Sequence, residues 1–261
     1  MKFNTYHWWG SPLDDPILER ARAALASESP DVEAFSKLLR SGHTAAVGTA
    51  LDHYAHAEST SRFTGGNPYS DYAAEVLEVS REILSNPPSP KSETGAEKDG
   101  ADHASALVVM LNLARPEDSD LIASALRQAT TTSVEVAATM AASKVLSESS
   151  VLNQNLVDAL CDIIFDESKS TDERLDALRA FNDAMSPQAA EVAARALATD
   201  DIDLQMHAAL ILATHHLSNY REAVEQVVAS WPKDAPYPAE FVLDALHADD
   251  DPDQEQGSGE S

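Results

Sequence analysis

The chain has 261 residues, 43% of them apolar, and carries 18 Lys and Arg against 44 Asp and Glu, a formal net charge of -26. That apolar share supplies a large core and excludes global disorder. The charge excludes a general nucleic-acid binder, whose nonspecific affinity comes from Lys and Arg neutralising phosphates, and it disfavours an anionic membrane surface.

The acidity is spread along the chain. Residues 1–100 carry a net -6, residues 101–248 a net -14, and residues 249–261 a net -6 with no base at all. An acidic body keeps a protein soluble and apart from its copies, and it also suits a basic protein partner. The single cysteine, Cys161, excludes an intrachain disulfide and a zinc site built on several thiolates. It lies in the apolar run Leu160-Cys161-Asp162-Ile163-Ile164, which predicts an inert, buried thiol. Met1-Lys2-Phe3-Asn4 opens no apolar signal core, so the expected location is the cytoplasm.

In chain order, the first feature is Phe3-Asn4-Thr5-Tyr6-His7-Trp8-Trp9-Gly10. Trp8 and Trp9 expose a large apolar area unless they pack. Two roles fit them: closing the open end of a helical stack, or a hot-spot patch for a partner. Helices are then predicted over 15–27, 30–41, 43–57, 68–85, 102–113, 117–129, 133–146, 150–166, 171–185, 187–199, 202–217, 219–230 and 238–247. Asp15-Pro16, Ser29-Pro30, Asn67-Pro68 and Ser186-Pro187 each pair a capping residue with proline at the first helical position. Thr132-x-x-Glu135 and Ser170-x-x-Glu173 fit capping boxes. Residues 61–68 and the Pro-, Ser- and Gly-rich stretch 86–101 read as loops, the latter separating residues 1–85 from 102–247. Residues 248–261 read as a disordered acidic tail. No glycine falls between Ala101 and Gln256, which excludes glycine-dependent hairpins and phosphate loops there.

Several helices repeat one another. Counting back from Ser147, Ser186 and Ser218, the ninth position is Ala each time, followed by Thr or Leu; the residue before each serine is Leu or Met. Asp120-Leu121-Ile122, Asn155-Leu156-Val157, Glu191-Val192-Ala193 and Glu222-Ala223-Val224 open matching amphipathic runs. Leu175, Leu178, Phe181 and Met185 recur at three- and four-residue spacing and are expected to face a neighbouring helix. A two-helix unit at this period marks an α-solenoid.

The paired helices resemble HEAT repeats of the armadillo-like class, most clearly over residues 117–247 and more loosely over 13–85, so that 1–85 are expected to form an N-terminal helical cap with looser repeats and 102–247 the HEAT-like repeats. The resemblance implies an all-α fold, a right-handed α-α superhelix of about six helix pairs. It implies a protein-binding scaffold; together with the net charge and the lack of a catalytic constellation, the expectation is a non-enzymatic scaffold, adaptor or immunity-type neutraliser of a protein with a basic surface, without nucleic acid, membrane or cofactor. The residues expected to bind are Trp8, Trp9, Asp172, Glu173, Asp200, Asp201, Asp203 and His207.

The alternative is an enzyme or small-ligand carrier using a HEAT-like groove, bilin lyase-like or metal-dependent. His53-x-x-His56, near Glu58, supplies two potential ligands but no third at a fitting spacing. None of the nine histidines is followed by Glu, against the pattern of di-iron hydroxylases that resemble HEAT repeats. Arg174, Arg179 and Arg195 are interleaved with acids, against the basic face of the related DNA glycosylases. Asp200-Asp201-x-Asp203 does not continue as an EF-hand loop, and no Gly-x-Ser-x-Gly elbow occurs. No catalytic or metal-binding residue is therefore assigned.

Overall fold

The computed structural model describes residue 8 and residues 10–27, 31–91, 98–232 and 234–248. Trp9, the rest of the aromatic N-terminal run and the acidic residues 249–261 lie outside the described residues. Among the described residues the fold is all-α. The helices are α1 (Pro16–Leu25), α2 (Val32–Leu39), α3 (Thr44–Thr64), α4 (Ala73–Leu84), α5 (Ala101–Leu113), α6 (Ser119–Arg127), α7 (Thr132–Glu148), α8 (Gln154–Ile164), α9 (Thr171–Arg179), α10 (Pro187–Leu197), α11 (Ile202–His215), α12 (Leu217–Val228) and α13 (Ala239–Ala248). None of them is long and apolar enough to cross a membrane.

Helix starts follow side-chain chemistry. Asp15 accepts a hydrogen bond from Ile17 N, and Ser186 from Ala189 N, each with proline just inside the helix. Ser170 and Glu173 form the expected capping box. Other boundaries move. The cap of α2 is Asp31, which accepts from Ala34 N, while Ser29-Pro30 lies outside the described residues. α7 starts at Thr132, so Thr131 rather than Thr132 precedes it, and the Thr131 carbonyl accepts from Val134 N and Glu135 N. Asn67 makes a turn onto Tyr69 N, and α4 begins only at Ala73 after a 3₁₀ turn at Ser70–Tyr72. α3 runs on to Thr64, through part of the predicted loop, and stops at Gly65 with φ +86°.

The chain forms two compact units, Met1–Val145 and Leu146–Ser261. In the first, α1 packs on α2 and α3, α3 on α2 and α5, and α4 on α5 and α6. The core holds Phe35, Leu51, Tyr54, Val76, Leu107, Met110 and Ile122. Phe35 stacks on Tyr69 at 4.3 Å. α3 is buried on every side over Ala45–Asp52, which explains its run of small residues. Arg81 of α4 pairs through Nε with the buried Asp118 carboxylate at 2.7 Å, and Asp118 also accepts from Arg115 N. A buried carboxylate is tolerable only when its oxygens are satisfied in this way.

In the second unit, α8 packs on α9, α10 on α11 and α12 on α13. α9, α11 and α13 adjoin in a row, since α11 contacts both of the others, and α10 contacts α12. Leu156, Leu160, Ile164, Leu178, Phe181, Leu204, Leu212, Val224 and Val242 fill the core. Leu175, Leu178 and Phe181 are buried as the spacing predicts, but Met185 is 74% exposed. The reason is that α9 ends at Arg179 and the turns that follow it carry Phe181 inward but stop before Met185, which leaves the helical phase. The thiol of Cys161 in α8 is pushed up to about 11 by burial, opposed by Arg195 and reinforced by Asp158 and Asp162. Native Cys161 is expected to react with iodoacetamide near neutral pH at least about tenfold more slowly than in denaturant, because the thiolate is the nucleophile. Equal rates in the two conditions contradict this assignment.

Candidate functional site

The acidic residues singled out in the sequence gather at the starts of two adjoining helices. Asp172 and Glu173 occupy the first turn of α9, while Asp201 caps α11 and Asp203 lies in its first turn. The two helix starts are tied together. Arg174 Nη1 donates to Asp201 Oδ2 at 3.1 Å, and Thr171 Oγ1 donates to the same oxygen at 3.4 Å. Asp201 Oδ1 accepts from Asp203 N and Leu204 N. Glu173 accepts from Ser170, which holds its carboxyl below the usual range, with Lys169 adding to the effect. Thus Asp201 and Glu173 are committed to capping, where a helix dipole favours negative charge. Asp172 and Asp200 are exposed and have no partner among the described residues.

His207 lies one turn beyond Asp203 on α11 and is only 5% exposed. Arg179 Nη2 donates to its Nε2 at 3.1 Å, so Nε2 is the acceptor. The proton then sits on Nδ1, which donates to Asp203 O at 3.0 Å; this tautomer follows from the hydrogen-bond network. Arg179 also reaches Asp176 at 3.1 Å. Tyr237 meets the His207 ring edge-on at 6.0 Å, and Phe241 meets Tyr237 likewise at 5.7 Å. Sequence reasoning missed this aromatic pair. Its only signal was Tyr237 and Phe241 four residues apart around the start of the last helix, with nothing to reveal their exposure.

Burial is the main cause that lowers the affinity of His207 for a proton; the hydrogen bond to Asp203 O opposes it, Arg179 adds to the lowering and the Asp203 charge offsets part of it. The folded value lies below the ordinary 6.5, so the unfolded chain takes up the proton first as pH falls. The stability this neutral histidine contributes is therefore complete above about 6.5 and is lost as pH falls from there towards the lowered folded value. A His207→Asn variant is expected to show a smaller loss of urea midpoint between about pH 7.5 and 5.5 than the unmodified chain. Identical pH slopes for the two chains exclude this role.

The other sequence candidates fall in the first unit. Trp8 is 1% exposed and fills core space between α3 and α5. Its Nε1 donates to Ser105 Oγ at 2.9 Å, and Ser105 Oγ donates to the buried Asp52 carboxylate at 2.7 Å. Arg22 Nη1 donates to Trp8 O and Ser11 O, fastening the segment to α1. Trp8 is therefore a packing residue with no free face to offer a partner. His53 and His56 line an open groove of about 880 Å³ together with Glu58, Ser61 and Tyr69. Burial, then His56, lowers the proton affinity of His53. Glu58 accepts from Asn67 Nδ2 at 2.9 Å. Among the described residues no group of three or more His, Cys, Asp or Glu is placed to hold a metal ion. A second cavity of about 630 Å³ is lined by apolar Leu39, Val47, Val79 and Ile83, with Arg40 and Glu75 paired at its edge.

The arginines do not form a basic stripe. Arg174 is spent on Asp201, Arg179 on Asp176 and His207, and Arg195 lies over the Phe165 ring at 3.6 Å. A scan of protein-family models finds no match to the chain, and a search of curated proteins finds none either.

Proposed function

We propose that the chain is a HEAT-like α-solenoid, a right-handed superhelix of paired helices. It is a non-enzymatic binder of a protein with a basic surface, acting as scaffold, adaptor or immunity-type neutraliser in the cytoplasm. The in-pair packing of α8 with α9, α10 with α11 and α12 with α13 supports the repeat reading, as does the row α9–α11–α13. One observation carries the binding reading. The acidic starts of α9 and α11 lie side by side, their nearby arginines are already paired, and Asp172 and Asp200 remain exposed. An uncompensated negative edge on a rigid helical layer steers a basic partner onto it and fixes its register.

The test is retention of a defined set of basic and acidic proteins on the immobilised full chain. Basic proteins are expected to be held at about 50 mM NaCl and released by about 500 mM, since screening shortens the reach of exposed charges. If no basic protein is retained at low salt, the reading fails. A second reading, a carrier of a small ligand, is favoured by the cavity at Leu39, Val79 and Ile83, whose size suits a drug-sized molecule. Native mass spectrometry and elemental analysis of the purified chain separate the two: a stoichiometric ligand or metal favours the carrier.

A further inference from the structure

The aromatic pair at the start of α13 is the least covered apolar feature of the second unit that also forms a contiguous pair. Tyr237 is 63% exposed and Phe241 51% exposed, although each ring touches its neighbour. The Tyr237 hydroxyl makes no hydrogen bond among the described residues. Buried tyrosine hydroxyls find partners as a rule, so this ring presents both an apolar face and an unspent polar tip.

Among the described residues, the charged side chains flanking the pair on α13 are acidic. Glu240 adjoins Phe241, and Asp244 follows it by just under one turn; both are exposed, and neither makes an ion pair among the described residues. The row that leads from the rings into α11 and α9 passes His207, Asp203, Arg179 and Asp176. His207 is neutral in this network, since Arg179 donates to it. Glu240 and Asp244 beside the rings, with Asp203 and Asp176 in the row, set four carboxylates against the single guanidinium of Arg179, and that guanidinium is already paired with Asp176.

We propose that the Tyr237–Phe241 edge, bordered by Glu240 and Asp244, is the docking surface for an arginine-bearing segment of a protein partner. A guanidinium lies flat on an exposed aromatic face and donates in its plane to carboxylates, so the two halves of this surface match the two halves of one side chain. Charge decides the occupant. Residues 249–261 carry six acids and no base, and a second copy of the chain brings a net -26, so both are repelled from this edge. The inference rests on the reading of the chain as a binder of basic proteins and names where and how such a partner attaches.

The experiment uses the full chain and two fluorescein-labelled dodecapeptides, one alternating arginine with alanine and the other alternating citrulline with alanine. Citrulline keeps the shape of arginine and removes its charge. Fluorescence anisotropy is expected to show binding of the arginine peptide alone. Tyr237→Ala combined with Phe241→Ala is expected to weaken it at least about tenfold, as truncation of aromatic hot spots does. Glu240→Gln combined with Asp244→Asn, which alters only exposed side chains, is expected to weaken it to a similar degree. The control, Asp71→Asn combined with Glu82→Gln in the first unit, removes the same charge and is expected to leave affinity unchanged. Far-UV circular dichroism verifies the fold of each variant. If the control weakens binding as much as the site variants, or the site variants bind as tightly as the unmodified chain, the docking site is wrong while the basic-partner reading survives. Equal binding of the citrulline peptide also overturns the site. Failure of the unmodified chain to bind the arginine peptide overturns it too, and the protein-retention experiment then decides the broader reading alone.

Discussion

Leu178→Asp is expected to unfold the second unit. Leu178 is fully buried in α9, which packs against α8 and α11. The substitution removes a buried leucine, worth about 1.5–3 kcal/mol. It also places a carboxylate in a buried position where the neighbouring Arg174 and Arg179 are already paired with Asp201 and Asp176, at an effective cost of several kcal/mol more. Together these approach the whole stability of a domain, about 5–15 kcal/mol. Because α9 packs on both α8 and α11, the loss spreads from α9 to those two helices. Far-UV circular dichroism and limited proteolysis provide the measurement, with cleavage expected within residues 146–248. A thermal melt indistinguishable from that of the unmodified chain contradicts the packing register described for α9.

Trp8→Ala is expected to destabilise the first unit by about 3–5 kcal/mol, the usual range for emptying a buried aromatic site. The indole occupies core space between α3 and α5, and its Nε1 supplies a hydrogen bond to Ser105. Without it, Ser105 keeps its bond to Asp52 but loses a donor, and the segment held by Arg22 loses its anchor. Urea unfolding followed by circular dichroism reads the change. A loss below about 1 kcal/mol means the cavity collapses freely and the indole is not a core element.

Much of this fold is written locally in the sequence. Proline after Asp15 and Ser186, and the Ser170–Glu173 box, specify helix starts through contacts within one turn, so residue type alone reveals them. Leu175, Leu178 and Phe181 are legible for the same reason: periodicity reports a buried face. Met185 is not, because the phase of a helix is lost once the helix ends, and α9 stops at Arg179 without a glycine to mark it. The candidate surface divides likewise. The acids at Asp172, Asp200 and Asp203 are visible as a charge pattern. The contacts of Arg174 with Asp201 and of Arg179 with His207 join residues 27 and 28 positions apart and depend on which helices adjoin. The exposure of Tyr237 and Phe241 is a property of the packed layer, since an aromatic in a helical run ordinarily signals core.

The contact of Trp8 with α3 has a consequence for how substitutions combine. Gly48 faces the indole so closely that a Cβ at that position overlaps the ring. Glycine within a helix costs about 0.5–1 kcal/mol relative to alanine, so its presence here trades helix propensity for room. Positions 8 and 48 are therefore one volume shared between two residues distant in sequence. Gly48→Leu alone overfills that volume and Trp8→Ala alone empties it, but the double variant restores the sum in part. A double-mutant cycle is expected to be strongly non-additive, with the pair of changes less damaging than the two single effects added together. Additive losses within about 0.5 kcal/mol indicate instead that the two positions are energetically independent.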